Sequence, residues 1–253
     1  MSEIEVEYLR SSFGESLGFK KREGAGLTFV WLCGFHSDMS GQKATTMDEF
    51  AMEHGYSSLR FDYSGTGTSN GKFDEGTISK WLNDSQDVIN AKTYGDLVLV
   101  GSSMGAWIAL LLAKEMSSRV KALVLIAPAP DFTEDLMWRT FSEETKTEIT
   151  QNGYWLRPSP YDDQGYPVTK GLIEDGRANL VLNKPIAFDR PVRILHGLKD
   201  ADVPWQRSPS LMENITSQNV KLTLIKAGDH RLSEPEDLEV LRQILRETTD
   251  SIL

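Results

Sequence analysis

A serine flanked by glycines stands at Gly101-Ser102-Ser103-Met104-Gly105, between the apolar run Leu97–Val100 and the helix-forming run Ala106–Leu112. G-x-S-x-G between a strand and a helix is the pattern of a nucleophile elbow, a turn that lifts a serine hydroxyl above the end of a sheet. A chain reversing so sharply crowds the positions two before and two after the apex, and glycine, with no Cβ, suits Gly101 and Gly105. The apex residue, Ser103, is expected in a strained backbone conformation. The helix that starts there aims free backbone N–H groups, and the positive end of its dipole, at any anion formed beside it. A serine hydroxyl is a weak nucleophile near neutral pH, so this chemistry requires a neighbouring base.

Four histidines are available to supply it. His230, in Gly228-Asp229-His230-Arg231-Leu232, follows the apolar run Leu222–Ile225 and precedes the last helical pattern. His196 ends the apolar run Val192–Leu195 and opens His196-Gly197-Leu198-Lys199-Asp200. His54, before Gly55, reads as a helix terminus, and His196 as a structural residue hydrogen-bonded where its strand ends. His36 follows Gly34-Phe35 and is ambiguous, since it adjoins the loop expected to supply an oxyanion donor. What singles out His230 is order: Ser103, Asp200 and His230 each fall in a loop after a strand, in one of the chain orders in which serine triads occur. Asp229 adjoins His230, and neighbouring side chains point apart, so it reads as a turn residue.

Several further stretches accompany these residues: Gly41-Gln42-Lys43-Ala44 followed by Glu49-Phe50, Arg60-Phe61-Asp62-Tyr63-Ser64-Gly65, Val203-Pro204-Trp205 and Asp229-His230-Arg231. With them the chain resembles, along almost its whole length, serine hydrolases of the α/β-hydrolase superfamily. Within it the resemblance is to the branch of mitochondrial palmitoyl-protein thioesterases that also hydrolyse acyl glucuronides, and to their bacterial relatives. It departs from that branch in lacking a transit-peptide-like start and in placing Cys33 before Gly34, where proline is the pattern. The resemblance implies a triad in which the pattern H-G-x-x-D-x-x-V-P assigns the acid to Asp200 in preference to Asp202. It implies that His230 takes the Ser103 proton as the hydroxyl attacks an acyl carbonyl, while Asp200 holds the imidazole. Backbone N–H groups of Phe35 and Met104 would face the oxyanion, each worth roughly 3 kcal/mol of transition-state stabilisation. The expected activity is cleavage of carboxylic esters or thioesters on small-molecule acyl substrates, with no metal and no organic cofactor. Acyl transfer, perhydrolysis or peptide cleavage would use the same triad, and a binding module without catalysis is the alternative from another class.

Composition sets limits on these readings. A chain of 253 residues fits one α/β domain with a sizeable core and room for a modest insertion. A formal net charge of −10 argues against nucleic acid as a partner, because phosphate binding needs a basic footprint. A single cysteine cannot form an internal disulfide, and no spacing suggests a zinc site. The start, Met1 to Glu7, is acidic and alternating, which suits an edge strand and not a secretory signal. No apolar run approaches the ~18 residues of a membrane span, and a cytoplasmic protein is expected.

Strand and helix patterns alternate, which predicts a mostly parallel central sheet flanked by helices, the α/β-hydrolase fold. Strands are expected at Thr28–Leu32, Ser58–Phe61, Leu97–Val100, Ala122–Ile126, Val192–Leu195 and Leu222–Ile225. Helical spacing recurs over Ala44–His54 and Ile78–Ile89. Ser208-Pro209 marks another helix start, and Ser233-Glu234-Pro235-Glu236 a capping box opening the last helix. The rhythm breaks between Pro128 and Pro191. There residues 131–190 are expected to form a cap inserted in the single domain, with Trp138, Phe141, Tyr154, Trp155, Tyr161 and Tyr166 available to meet an acyl group; ordinary packing of a few helices is the equal alternative. His36, Trp138, Trp155 and Trp205 are the candidate pocket residues. Gly65-Thr66-Gly67-Thr68-Ser69-Asn70 half-matches a dinucleotide loop but lacks its last glycine, and a turn shaping the floor of the site is the better reading.

Overall fold

The computed structural model describes residues 4–159 and 162–252. Among them the strands are β1 (Glu7–Arg10), β2 (Ser16–Arg22), β3 (Thr28–Leu32), β4 (Ser57–Phe61), β5 (Leu97–Ser102), β6 (Val120–Ile126), β7 (Tyr154–Ser159), β8 (Asp162–Thr169), β9 (Val192–Gly197) and β10 (Val220–Ile225). The α-helices are α1 (Gln42–Glu53), α2 (Ile78–Lys92), α3 (Met104–Glu115), α4 (Glu143–Asn152), α5 (Lys170–Ala178), α6 (Arg207–Asn214) and α7 (Pro235–Asp250). Eight described strands join one sheet in the order β1-β2-β4-β3-β5-β6-β9-β10. Every pair from β4 to β10 is parallel, and β2 and β1 extend the sheet antiparallel at one edge.

Helices cover both faces, so β3, β4, β5 and β9 are buried along their whole length. Continuous burial explains why β3 and β5 read as unbroken apolar runs. β4 carries the buried Arg60, whose guanidinium meets Asp48 of α1 at 3.3 Å; Asp48 also pairs with Arg22 at 2.8 Å. α3, apolar on nearly every side, is the most enclosed helix of the site, and a helix apolar all round belongs in a core.

Three features differ from the sequence expectation. β2 had no apolar run to announce it: Leu17 and Phe19 are buried, but Lys20, Lys21 and Arg22 follow them. The box that opens α7 sits one residue later than expected. Glu234, not Ser233, is the capping residue, and its N–H donates to the Asp237 carboxylate at 3.3 Å. The stretch between β6 and β9 holds, besides helical turns at Thr133–Met137 and Trp138–Thr140 and the helices α4 and α5, an antiparallel hairpin of β7 and β8. Proline and glycine within β8 leave it without the alternation that marks a strand. Tyr161 lies outside the described residues. No helix among the described residues is long and apolar enough to cross a membrane.

Candidate active site

Ser103 sits between β5 and α3 with φ 54° and ψ −116°, a backbone conformation that L-residues rarely hold. The two glycines around it are there for space. A Cβ on Gly101 would lie 2.3 Å from the Gly105 carbonyl oxygen, and one on Gly105 would lie 2.0 Å from the carbonyl oxygen of Leu32 in β3. Both obstacles are backbone atoms, so neither can move aside cheaply. Gly105→Ala is therefore expected to cost about 2–3 kcal/mol, a fall in Tm of roughly 4–12 °C for a domain of this size. Gly171→Ala, near the start of α5 with only ordinary contacts, is expected to leave Tm unchanged or slightly raised. Thermal unfolding of both variants checks the contrast.

The turns after β9 and β10 meet, with the Lys199 N–H donating to the Gly228 carbonyl at 2.9 Å. That contact brings Asp200 to His230. His230 Nδ1 lies 2.7 Å from Asp200 Oδ2, and His230 Nε2 lies 3.1 Å from Ser103 Oγ. A carboxylate oxygen only accepts, so Nδ1 carries the hydrogen and Nε2 is left to accept from the Ser103 hydroxyl. Asp200 Oδ1 accepts the N–H groups of Asp202 and Val203 at 2.9 and 2.8 Å. Burial pushes the Asp200 carboxyl up, but hydrogen bonds from His196 and His230, and the charge of His230, outweigh it. The carboxyl is held well below the usual carboxylate range.

Asp202, two residues on, is exposed and borders the cavity in front of Ser103. Asp229 accepts the N–H groups of Arg231 and Leu232 at 2.9 and 3.0 Å, the turn role expected of it. Asp200, Asp202 and His230 offer ligand atoms within 4.8 Å of one another. Among the described residues, the backbone N–H groups of Phe35 and Met104 have no protein acceptor.

A cavity of about 720 Å³ opens on Ser103 and His230. One wall is apolar, built from Phe35, Ala129, Phe132, Leu136, Met137 and Tyr166. The Phe35 ring anchors it, at 5.0–5.9 Å from the rings of Phe73, Trp81, Phe132 and Tyr166. Its polar lining includes Asp38, Gln42, Lys43, Arg231 and Arg157, the last paired across the β7–β8 hairpin with Tyr166. His36 also lines the cavity, in a left-handed conformation (φ 57°) and 4.8 Å from the Phe73 ring. Lys43 donates to the carbonyl of Arg231, next to His230, and burial pushes its ammonium down to about 8. Sequence reasoning gave Lys43 no role, because a lysine in the first turn of a helix ordinarily points to water.

Of the four pocket candidates only His36 borders this cavity. Trp138 faces the Arg177 guanidinium at 4.7 Å, Trp155 packs on Phe141 at 5.2 Å, and Trp205 is half-buried; none of the three is among the lining residues. Composition suggested these tryptophans, but the direction in which each short turn aims its side chain is set by packing. The turn at Gly65–Asn70 does not line the cavity either. It clasps Asp62, whose Oδ2 accepts from Thr68 at 2.8 Å; the other oxygen takes the Met39 N–H at 2.7 Å and so steadies the loop that does line it.

A parallel sheet that delivers a strained serine at the β5–α3 turn, with histidine and carboxylate following from later strands, defines the α/β-hydrolase class. The family described as serine aminopeptidase, S33, matches residues 28–159. The chain belongs to this family of serine hydrolases. More particularly, it is similar to the mouse protein named palmitoyl-protein thioesterase ABHD10, mitochondrial, with 36% identity over 237 residues, 93% of this chain and 80% of the relative. The solved structure of mouse alpha/beta hydrolase domain-containing protein 10 superposes with a TM-score of 0.91 at 35% identity, covering 98% of this chain and 100% of that one. A crystal structure from Agrobacterium vitis S4 gives 0.93 at 41% identity, over 98% and 99%. The family match ends before Asp200 and His230. The placing of those two beside Ser103 rests on the geometry given above.

Proposed function

We propose that the protein is an esterase or thioesterase that cleaves small carboxylic esters or thioesters through an acyl-enzyme on Ser103. The observation that carries this reading is the unbroken line Asp200–His230–Ser103 opening on a partly apolar cavity. Similarity to relatives named as thioesterases supports the substrate class. His230 Nε2 takes the hydroxyl proton as Ser103 Oγ bonds to the acyl carbon. The carbonyl oxygen becomes an oxyanion facing the N–H groups of Phe35 and Met104, while Asp200 holds the imidazolium. On collapse the bond to the leaving oxygen or sulfur breaks, and His230 returns the proton to it. Water then attacks the acyl-enzyme by the same route, and the carboxylic acid leaves with Ser103 restored.

Labelling of Ser103 by a fluorophosphonate probe tests this directly. An unlabelled serine in the folded protein would favour a binding module without catalysis. The description of the matching family favours peptide cleavage as a second reading. Aminoacyl nitroanilides tried beside acyl nitrophenyl esters and acyl-CoA thioesters would rank the two.

Residues 131–190 act in this reading as a cap, since Phe132, Leu136, Met137, Arg157 and Tyr166 come from it to the cavity. The acyl group lies against the apolar wall, so Leu136→Ala and Met137→Ala are expected to move the preference toward longer or bulkier acyl groups. One methylene is worth only ~1–3 kcal/mol of discrimination, so the change across a chain-length series is graded. A lower Tm with an unchanged chain-length profile would make this wall simple packing.

A further inference from the structure

His196, on β9, is fully buried, yet all its ring hydrogen bonds are directed. Its Nε2 lies 3.0 Å from Asp200 Oδ2 and 3.1 Å from the Val203 carbonyl oxygen. Both partners only accept, so Nε2 carries the hydrogen. Its Nδ1 lies 2.6 Å from the Ser208 hydroxyl on α6, with which it shares a hydrogen bond. The ring is thus a strut between α6 and the acid of the triad, with Nε2 donating toward the carboxylate. Asp200 Oδ2 receives two imidazole donors, His230 at 2.7 Å and His196 at 3.0 Å, while Oδ1 receives the two N–H groups of the following turn. Rotation of the carboxylate would break bonds at both oxygens.

We propose that His196 is a positioning residue for catalysis: by sharing the oxygen that holds His230, it locks Asp200 and weakens the pull of that carboxylate on the His230 imidazolium. This rests on the triad reading of Ser103, Asp200 and His230. A hydrogen bond to a carboxylate favours its charged form and lowers its basicity. With the His196 donor gone, Asp200 attracts the second proton of His230 more strongly, and the unprotonated base that Ser103 needs persists over a narrower pH range. The other charged groups around His230 are Asp202 at the cavity rim, Asp229 and Arg231 on its own loop, and Lys43 on α1. None of them contacts His196 by a hydrogen bond or ion pair, so a substitution there leaves their fields in place.

The test is the pH dependence of kcat/KM for the wild type, His196→Leu and His196→Gln, with fluorophosphonate labelling and thermal unfolding of each. His196→Leu removes the donor and is expected to raise the midpoint of the acid limb by about one pH unit. His196→Gln extends an amide N–H about as far as the imidazole Nε2, and is expected to return the midpoint to the wild-type position. A midpoint unchanged in His196→Leu, with only kcat or Tm lowered, overturns the proposal and makes His196 a packing residue. Should His196→Leu not fold, Ser208→Ala decides: it removes the hydroxyl that polarises the ring and is expected to move the midpoint the same way by less, and no movement overturns the proposal. Failure of the triad reading looks different, since the wild type itself would then show no labelling of Ser103 and no acid limb.

Discussion

Ser103→Ala and His230→Ala are each expected to lower kcat roughly 10⁴- to 10⁶-fold, and the double variant is expected to be little worse than either single one. The reason is that the 3.1 Å bond between Ser103 Oγ and His230 Nε2 makes them one proton-transfer unit. Once the serine has gone, the base has no proton to take; once the base has gone, the hydroxyl stays protonated near neutral pH. Residual turnover would come from substrate positioning and the free N–H groups of Phe35 and Met104. Steady-state rates on one activated ester, with circular dichroism to show that each variant is folded, decide the matter. Near-normal turnover in Ser103→Ala would remove the serine from the chemistry, and multiplicative losses in the double variant would mean that the two act separately.

Asp200→Asn is expected to lower kcat about 10⁴-fold, as loss of the acid does in a comparable triad. The structure makes the reason specific. Both oxygens of Asp200 serve only as acceptors, two imidazoles on one and two backbone N–H groups on the other. An amide in that place must turn its own NH2 toward donors on one side, so His230 loses either its tautomer or its orientation. Asp202→Asn changes an exposed side chain and is expected to cost far less, whatever it does to charged substrates at the rim. Should the two variants rank in the opposite order, the acid would be Asp202. The sign of the Asp200 shift also bears on stability. A carboxyl whose folded value is depressed contributes stability that is present above its unfolded value near ~4 and is lost as pH falls through the lower folded value. Between pH 5 and 8 Asp200 stays ionised, so loss of the folded state by way of Asp200 belongs to more acidic solutions.

Much of this site is written locally in the chain. Gly101, Ser103 and Gly105 declare the elbow because a tight strand-to-helix reversal excludes a Cβ at fixed positions, whatever surrounds it. β3 and β5 declare themselves because strands covered on both faces read as near-continuous apolar runs. His230 follows from chain order once the serine is placed. The tertiary structure decided what no local pattern encodes. The pattern H-G-x-x-D pointed to Asp200 rather than Asp202, but its reach to His230 comes from the packing of the turns after β9 and β10 on each other. The apolar wall went to Phe35, Phe132, Leu136 and Met137, and Trp138, Trp155 and Trp205 were turned elsewhere, because side-chain direction in short helical turns follows from the partners met in space. His196 read in the sequence as a residue hydrogen-bonded where its strand ends, and its ring nitrogens are hydrogen-bonded there. That its ring meets the Asp200 carboxylate four residues on is set by how the turn after β9 folds back over the strand end, which its sequence pattern does not announce.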